Sequence, residues 1–162
     1  MIRRILVPLD GSELAGHILP QVEDLARRLP AEVWFVYVVE LATAAIAMDS
    51  VGVWTGGPLV IYDQLDGEAS EAARQLGTLV SEWQERGIAA YTQVLWGEPA
   101  LEIIEFARSH DVDLIAMSTH GRSGLDRLIL GSVAERVVLE AGVPVLVVRP
   151  HEESHSEEGE IT

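Results

Sequence analysis

Short, nearly continuous apolar runs alternate along this chain with segments whose apolar residues recur every three or four positions, and nothing else in it constrains the fold as much. A strand buried on both faces reads as an unbroken run of Val, Ile, Leu and aromatics. Residues 2–8, 33–39, 88–96, 114–117 and 143–148 fit that description. Between them come amphipathic stretches. From Ser12 the stripe Leu14, Ile18, Val22, Leu25 and Leu29 steps by four and three, with Pro20 expected to bend the helix. From Asp63 to Arg86 the stripe runs Leu65, Ala69, Ala72, Leu76, Leu79 and Trp83 and stops at Gly87. Pro99 opens a helix to Ala107, and Ser132 opens one to Glu140. Strand–helix alternation of this kind predicts one α/β domain, an open doubly wound parallel five-stranded sheet with helices on both faces. A chain of 162 residues is enough for one such core. Residues 40–62, rich in glycine, read as a long loop, and residues 151–162, with five acids and a single isoleucine, read as a disordered tail after a domain of residues 1–150.

The fourth run carries the chemistry. It leads into Ser118-Thr-His-Gly121-Arg122, and with nine residues between, Gly121 is followed by Gly131 and Ser132 at the start of a helix. Ligands of open α/β sheets sit at the carboxyl ends of the strands. A glycine there lets backbone approach a ligand, and a helix N-terminus aims unpaired N–H groups and a positive dipole end at it. Taken singly, Gly131 is a turn and Ser132 with Glu135 an ordinary capping box. Taken together with His120-Gly121, they form a main-chain anion cradle.

Composition narrows the function. Twenty-six acids against eleven basic residues give a formal charge of −15, a field that repels polynucleotides and anionic membranes. There is no lysine, which excludes a Walker A loop, a Schiff base and the phosphoacceptor chemistry of a receiver domain at Asp10. Asp10 is read either as a turn residue before the Ser12 helix or as a polar group beside a base and ribose. There is no cysteine, and neither Gly-x-Ser-x-Gly nor His-Glu-x-x-His occurs. His120 stands without a carboxylate partner in the sequence pattern, so it is read as a hydrogen-bond donor to phosphate, and any hydrolysis as slow. His151 and His155 beside Glu152 and Glu153 lie in a loose tail, a poor metal site. No membrane-length apolar run and no cleavable leader pattern are visible, which predicts a cytoplasmic protein.

The spacing Ser118-x-x-Gly121, nine residues, Gly131-Ser132 resembles the nucleotide signature of the universal stress protein family, with Ser118 where that signature has its first glycine. Ile5-Leu-Val-Pro-Leu-Asp-Gly-Ser12, Gly97-Glu-Pro99 and Pro144-Val-Leu-Val-Val-Arg149 resemble other family segments in the expected order. The resemblance implies strand order 3-2-1-4-5, with a switch point between strands one and four. It implies adenine against Pro8, Leu9, Asp10, Val38 and Val39, ribose over Met117 and Ser118, and phosphates at His120, Gly121, Arg122, Gly131, Ser132 and Val133. The ligand implied is ATP, ADP or AMP, with or without Mg2+ on the phosphates and no metal ligand from the protein, in a stress response. A homodimer through residues 143–148 is implied as well. One branch of the family keeps the scaffold without nucleotide, so a dimeric interaction protein is the alternative that Ser118 favours.

Overall fold

The computed structural model describes residues 1–40, 57–119 and 130–149. In chain order the elements are β1 (Arg4–Pro8), α1 (Glu13–Gly16), α2 (Leu19–Arg28), β2 (Glu32–Glu40), α3 (Gly57–Glu85), β3 (Ala90–Gly97), α4 (Pro99–Ser109), β4 (Leu114–Ser118), α5 (Ser132–Glu140) and β5 (Val145–Val148). The five strands form one sheet in the order β3-β2-β1-β4-β5, and every pairing is parallel. The chain therefore starts in the middle of the sheet, winds out to β3, crosses back past β1 to β4, and ends at the opposite edge.

Each sheet face carries its own core. Ile5, Val7, Val33, Phe35, Ala90 and Ala116 turn toward α2 and α3, where they meet Val22, Ala26, Leu76 and Trp83. The Trp83 ring stands edge-on to Phe35 with centroids 5.0 Å apart. On the other face Leu6, Val36, Ile115 and Met117 pack under Ile103, Ile104 and Phe106 of α4 and Ala134 and Val137 of α5. Successive residues of one strand thus feed opposite cores, which is why the strands read as continuous apolar runs.

Three boundaries differ from the sequence reading. The helix expected from Ser12 to Leu29 is two helices: α1 ends at Gly16, and Pro20 lies in the first turn of α2, where no intrahelical donor is required of it. The glycine-rich stretch through Tyr62 is not loop to its end, since α3 begins at Gly57; Pro58 again stands in a first turn. The rest of that stretch, 41–56, and the tail 151–162 lie outside the described residues. The Ser132–Glu135 capping box is absent as well: Gly131 is the N-cap, no side chain among the described residues caps the helix, and Glu135 N–H bonds to the Gly131 carbonyl at 2.9 Å. Among the described residues no helix is long and apolar enough to cross a membrane.

Candidate functional site

The crevice begins with Pro8. Odd-numbered residues of β1 bond to β2, as in Leu9 N–H to the Val36 carbonyl at 2.8 Å, whereas the carbonyl of Arg4 accepts from Asp113 N–H at 3.0 Å on the β4 side. By the alternation of a parallel ladder, the next donors toward β4 belong to Leu6 and then residue 8. Proline has no N–H to give. The β1–β4 register accordingly ends at Leu6↔Ile115, although β1 runs on to Pro8 and β4 to Ser118. The two central strands part at their carboxyl ends, at the topological switch point.

One wall is the turn after β1. Asp10 Oδ1 accepts from Ser12 N–H at 2.9 Å and from the Ser12 hydroxyl at 2.6 Å, and Ser12 Oγ accepts in turn from Ala15 N–H at 3.1 Å, capping α1. Of the two readings of Asp10, the turn role is therefore realised. Gly11 adopts a φ of +76, which a side chain would resist, and the turn lies against Tyr37 and Gln75. Beside it β2 continues past Val36, the partner of Pro8, so that half-buried Val38 and buried Val39 rise above the end of β1. Pro8, Leu9, Asp10, Val38 and Val39 are thus brought to one place. Tyr37, which the sequence reading passed over, sits among them: its hydroxyl donates to Glu68 Oε1 of α3 at 2.8 Å. Burial first, then that bond and the charges of Glu68 and Asp10, push its phenol up to about 12, so it stays a neutral donor. A tyrosine on a strand face gives no sequence signal for this; its partner lies thirty-one residues away.

The opposite wall is the end of β4 with the start of α5. Met117 is buried; Ser118 pairs with Val148, and its hydroxyl reaches the Ala15 carbonyl at 3.4 Å, so this side chain faces α1. On the sheet face covered by α4 and α5, both helix N-termini open toward this end of the sheet, and they differ. At α4, Glu98 caps its own helix by accepting from Ala100 N–H at 3.1 Å and Leu101 N–H at 3.0 Å. At α5 no side chain among the described residues performs that task, and a Cβ added to Gly131 would meet none of them within 4 Å. The N–H groups of Ser132, Val133 and Ala134 precede the first helical donor and are available to an anion. Arg136, one turn on, is paired with Glu98 at 2.6 Å and Glu140 at 3.3 Å. His120, Gly121 and Arg122 lie outside the described residues.

A depression of about 800 Å3 at the amino ends of the strands, lined among others by Arg3, Arg4, Glu32, Asp111 and Asp113, is a weaker candidate. Part of its polar lining is already engaged: Asp113 accepts from the backbone N–H groups of Arg3 and Arg4, and the Arg4 guanidinium pairs with Glu32.

The family model described as "Universal stress protein family" matches residues 1–149. The chain belongs to the universal stress protein family. Among its relatives is universal stress protein MJ0531 of Methanocaldococcus jannaschii, 37% identical over 149 residues that make up 92% of this chain and 83% of the relative. The solved structure of MJ0577, whose description concerns a structure-based assignment of its biochemical function, superposes with a TM-score of 0.78 at 26% identity, covering 94% of this chain and 99% of that one. A universal stress protein from Archaeoglobus fulgidus, solved in complex with dAMP, shares the fold at a TM-score of 0.60 and 22% identity, covering 91% and 97% of the two chains.

Proposed function

We propose that this universal stress protein binds an adenine nucleotide in the crevice between the ends of β1 and β4 and acts through it in a stress response in the cytoplasm. The observation that carries the reading is the N-terminus of α5, which among the described residues has no side-chain cap and no neighbour where a Cβ of Gly131 would stand, at the end of the sheet where Pro8 releases β1 from β4. A phosphate chain fits that combination, since backbone N–H groups and the helix dipole offset its charge without a lysine. The base lies against Pro8, Leu9, Asp10, Val38 and Val39, the ribose over Met117 and Ser118, and the phosphates at His120, Gly121, Arg122, Gly131, Ser132 and Val133. ATP, ADP and AMP share these contacts, and Mg2+, where present, rides on the phosphates. The dAMP complex of the Archaeoglobus relative supports the capacity of the fold for an adenylate. Ser118 spends its hydroxyl hydrogen on Ala15 within the protein, so it is no obstacle by charge or by an unmet donor.

The same reading includes a homodimer through residues 143–148. Thr119 N–H bonds to the Val148 carbonyl and Ile115 N–H to that of Pro144, which turns the backbone groups of Val145 and Val147 outward along the sheet edge. Mass spectrometry of the small molecules released when the purified protein is denatured, followed by calorimetry with ATP, ADP and AMP, tests the nucleotide. An adenylate in the first or micromolar heats in the second is the expected outcome. Neither would turn the reading to a nucleotide-independent dimer.

A further inference from the structure

The other edge of the sheet is built differently from β5. β3 keeps an unbroken eight-residue register with β2, from Val33↔Ala90 to Glu40↔Gly97. Its sequence, Ala-Tyr-Thr-Gln-Val-Leu-Trp-Gly, contains no charged residue and no proline. Edge strands are ordinarily blunted by one of these or by a bulge. Because Val33 N–H bonds to the Ala89 carbonyl, the ladder alternation gives the odd residues of β3 to β2 and turns the backbone of Ala90, Thr92, Val94 and Trp96 outward. Two of those four carbonyls are occupied by side-chain amides: Gln84 Nε2 donates to Ala90 at 2.9 Å and Gln93 Nε2 to Val94 at 3.3 Å. Among the described residues, nothing comparable meets Thr92 or Trp96, and Thr92 Oγ1 is buried without a partner.

The side chains along this edge suit an added strand. Tyr91, 42% exposed, is stacked on Trp34 with centroids 4.9 Å apart, and Trp96, 41% exposed, stands on the opposite face. The helices that cover β3 present exposed Glu82, Glu85, Glu98 and Glu105. Glu98 is paired with Arg136, and Glu82 faces Arg86, which also pairs with Glu23; among the described residues Glu85 and Glu105 have no ion-pair partner, so an acidic excess remains along this edge. The edge is thus a regular, aromatic-flanked ladder in an acidic surround.

We propose that the outer edge of β3 is a docking strand for an extended, cationic segment of a partner protein, which pairs with the backbone of Thr92 and Trp96 and lays the apolar side chains of its one apolar face beside either Tyr91 or Trp96. A second copy of this chain is the poorer occupant. Each copy brings a formal charge of −15, and pairing at both sheet edges would run on as an open fibre.

The test uses the full chain, labelled with nitrogen-15, and a capped octapeptide of alternating lysine and valine, against a control of alternating glutamate and valine. The lysine peptide should shift the Thr92 and Trp96 amide resonances and slow their exchange with deuterium at least tenfold, and the glutamate peptide should bind at least tenfold more weakly. Thr92→Pro removes an outward N–H that β2 does not use, and Trp96→Lys, at an exposed position, adds a repelling charge; each should weaken the lysine peptide at least tenfold. Equal binding of the two peptides, shifts confined to the β1–β4 crevice, or unchanged affinity of a folded Trp96→Lys protein would overturn the proposal. So would Thr92 and Trp96 amides that, in the protein alone, exchange as slowly as those of Phe35 and Ile115, because the edge would then be covered by the chain itself or by a second copy.

Discussion

Replacing Gly131 with Asp should move stability and nucleotide affinity in opposite directions. Gly131 has φ −58 and ψ 156, a backbone that any L residue adopts, and a Cβ there meets nothing within 4 Å. An aspartate at this N-cap can accept from the N–H groups one turn into α5 and complement the dipole, so it should stabilise the fold by a few tenths of a kcal/mol relative to glycine. Those N–H groups are the ones proposed for phosphate. Losing one charge-assisted hydrogen bond to phosphate costs about 1.5–3 kcal/mol, roughly 10- to 150-fold in Kd. The new carboxylate adds repulsion: two unit charges about 4 Å apart cost roughly 1 kcal/mol in water and about 4 kcal/mol near a protein surface. The expected result is a melting temperature equal to or above that of the wild type, with ATP affinity at least tenfold lower by calorimetry. A protein with raised melting temperature and unchanged affinity would refute the assignment of α5 as the phosphate helix, because the cap would have formed with no ligand displaced.

Pro8→Val restores the missing donor toward β4; one further ladder bond should stabilise the fold by about 0.5–1.5 kcal/mol in denaturant titrations and lower nucleotide affinity by narrowing the crevice, and unchanged values of both would show that proline does not part the strands. Val147→Arg, on the β5 edge, should raise a dimer dissociation constant at least tenfold in light scattering, while a wild-type protein that is already monomeric at micromolar concentration would remove the interface. Asp113 is held below the ordinary carboxylate range by the N–H groups of Arg3 and Arg4. A carboxylate whose folded pKa is depressed contributes stability that is present above its unfolded pKa, near 3.8, and is lost as pH falls through the folded value. Asp113→Asn should therefore melt lower than wild type at neutral pH, with the gap closing below about pH 4; a gap that stays constant to about pH 2 would mean that the shift is absent.

The local pattern of residues determined which segments are strands and helices and which faces are apolar, because a period of two or of 3.6 is written into neighbours a few positions apart. It also marked Gly131 and Ser132, where a strand, a glycine and a helix start follow one another in the chain. Glycine and proline misled the same reading at two places. By residue type alone Pro20 reads as a bend inside one helix and Gly57-Pro58 as part of a loop, although each proline stands in the first turn of a helix; a first turn and a break look alike when only the residue type is known. The strand order came from resemblance to a family and not from periodicity, since Arg4↔Glu32 and Ile5↔Leu114 join residues far apart in the chain. Only the tertiary structure decided that Pro8 stands where a donor to β4 is due, that Tyr37 reaches Glu68, that Glu98 closes the N-terminus of α4 while that of α5 stays open, and that the even residues of β3 face outward. Each of these depends on which strand or helix lies alongside. That is set by packing two apolar cores on one sheet, a long-range choice that no window of sequence contains.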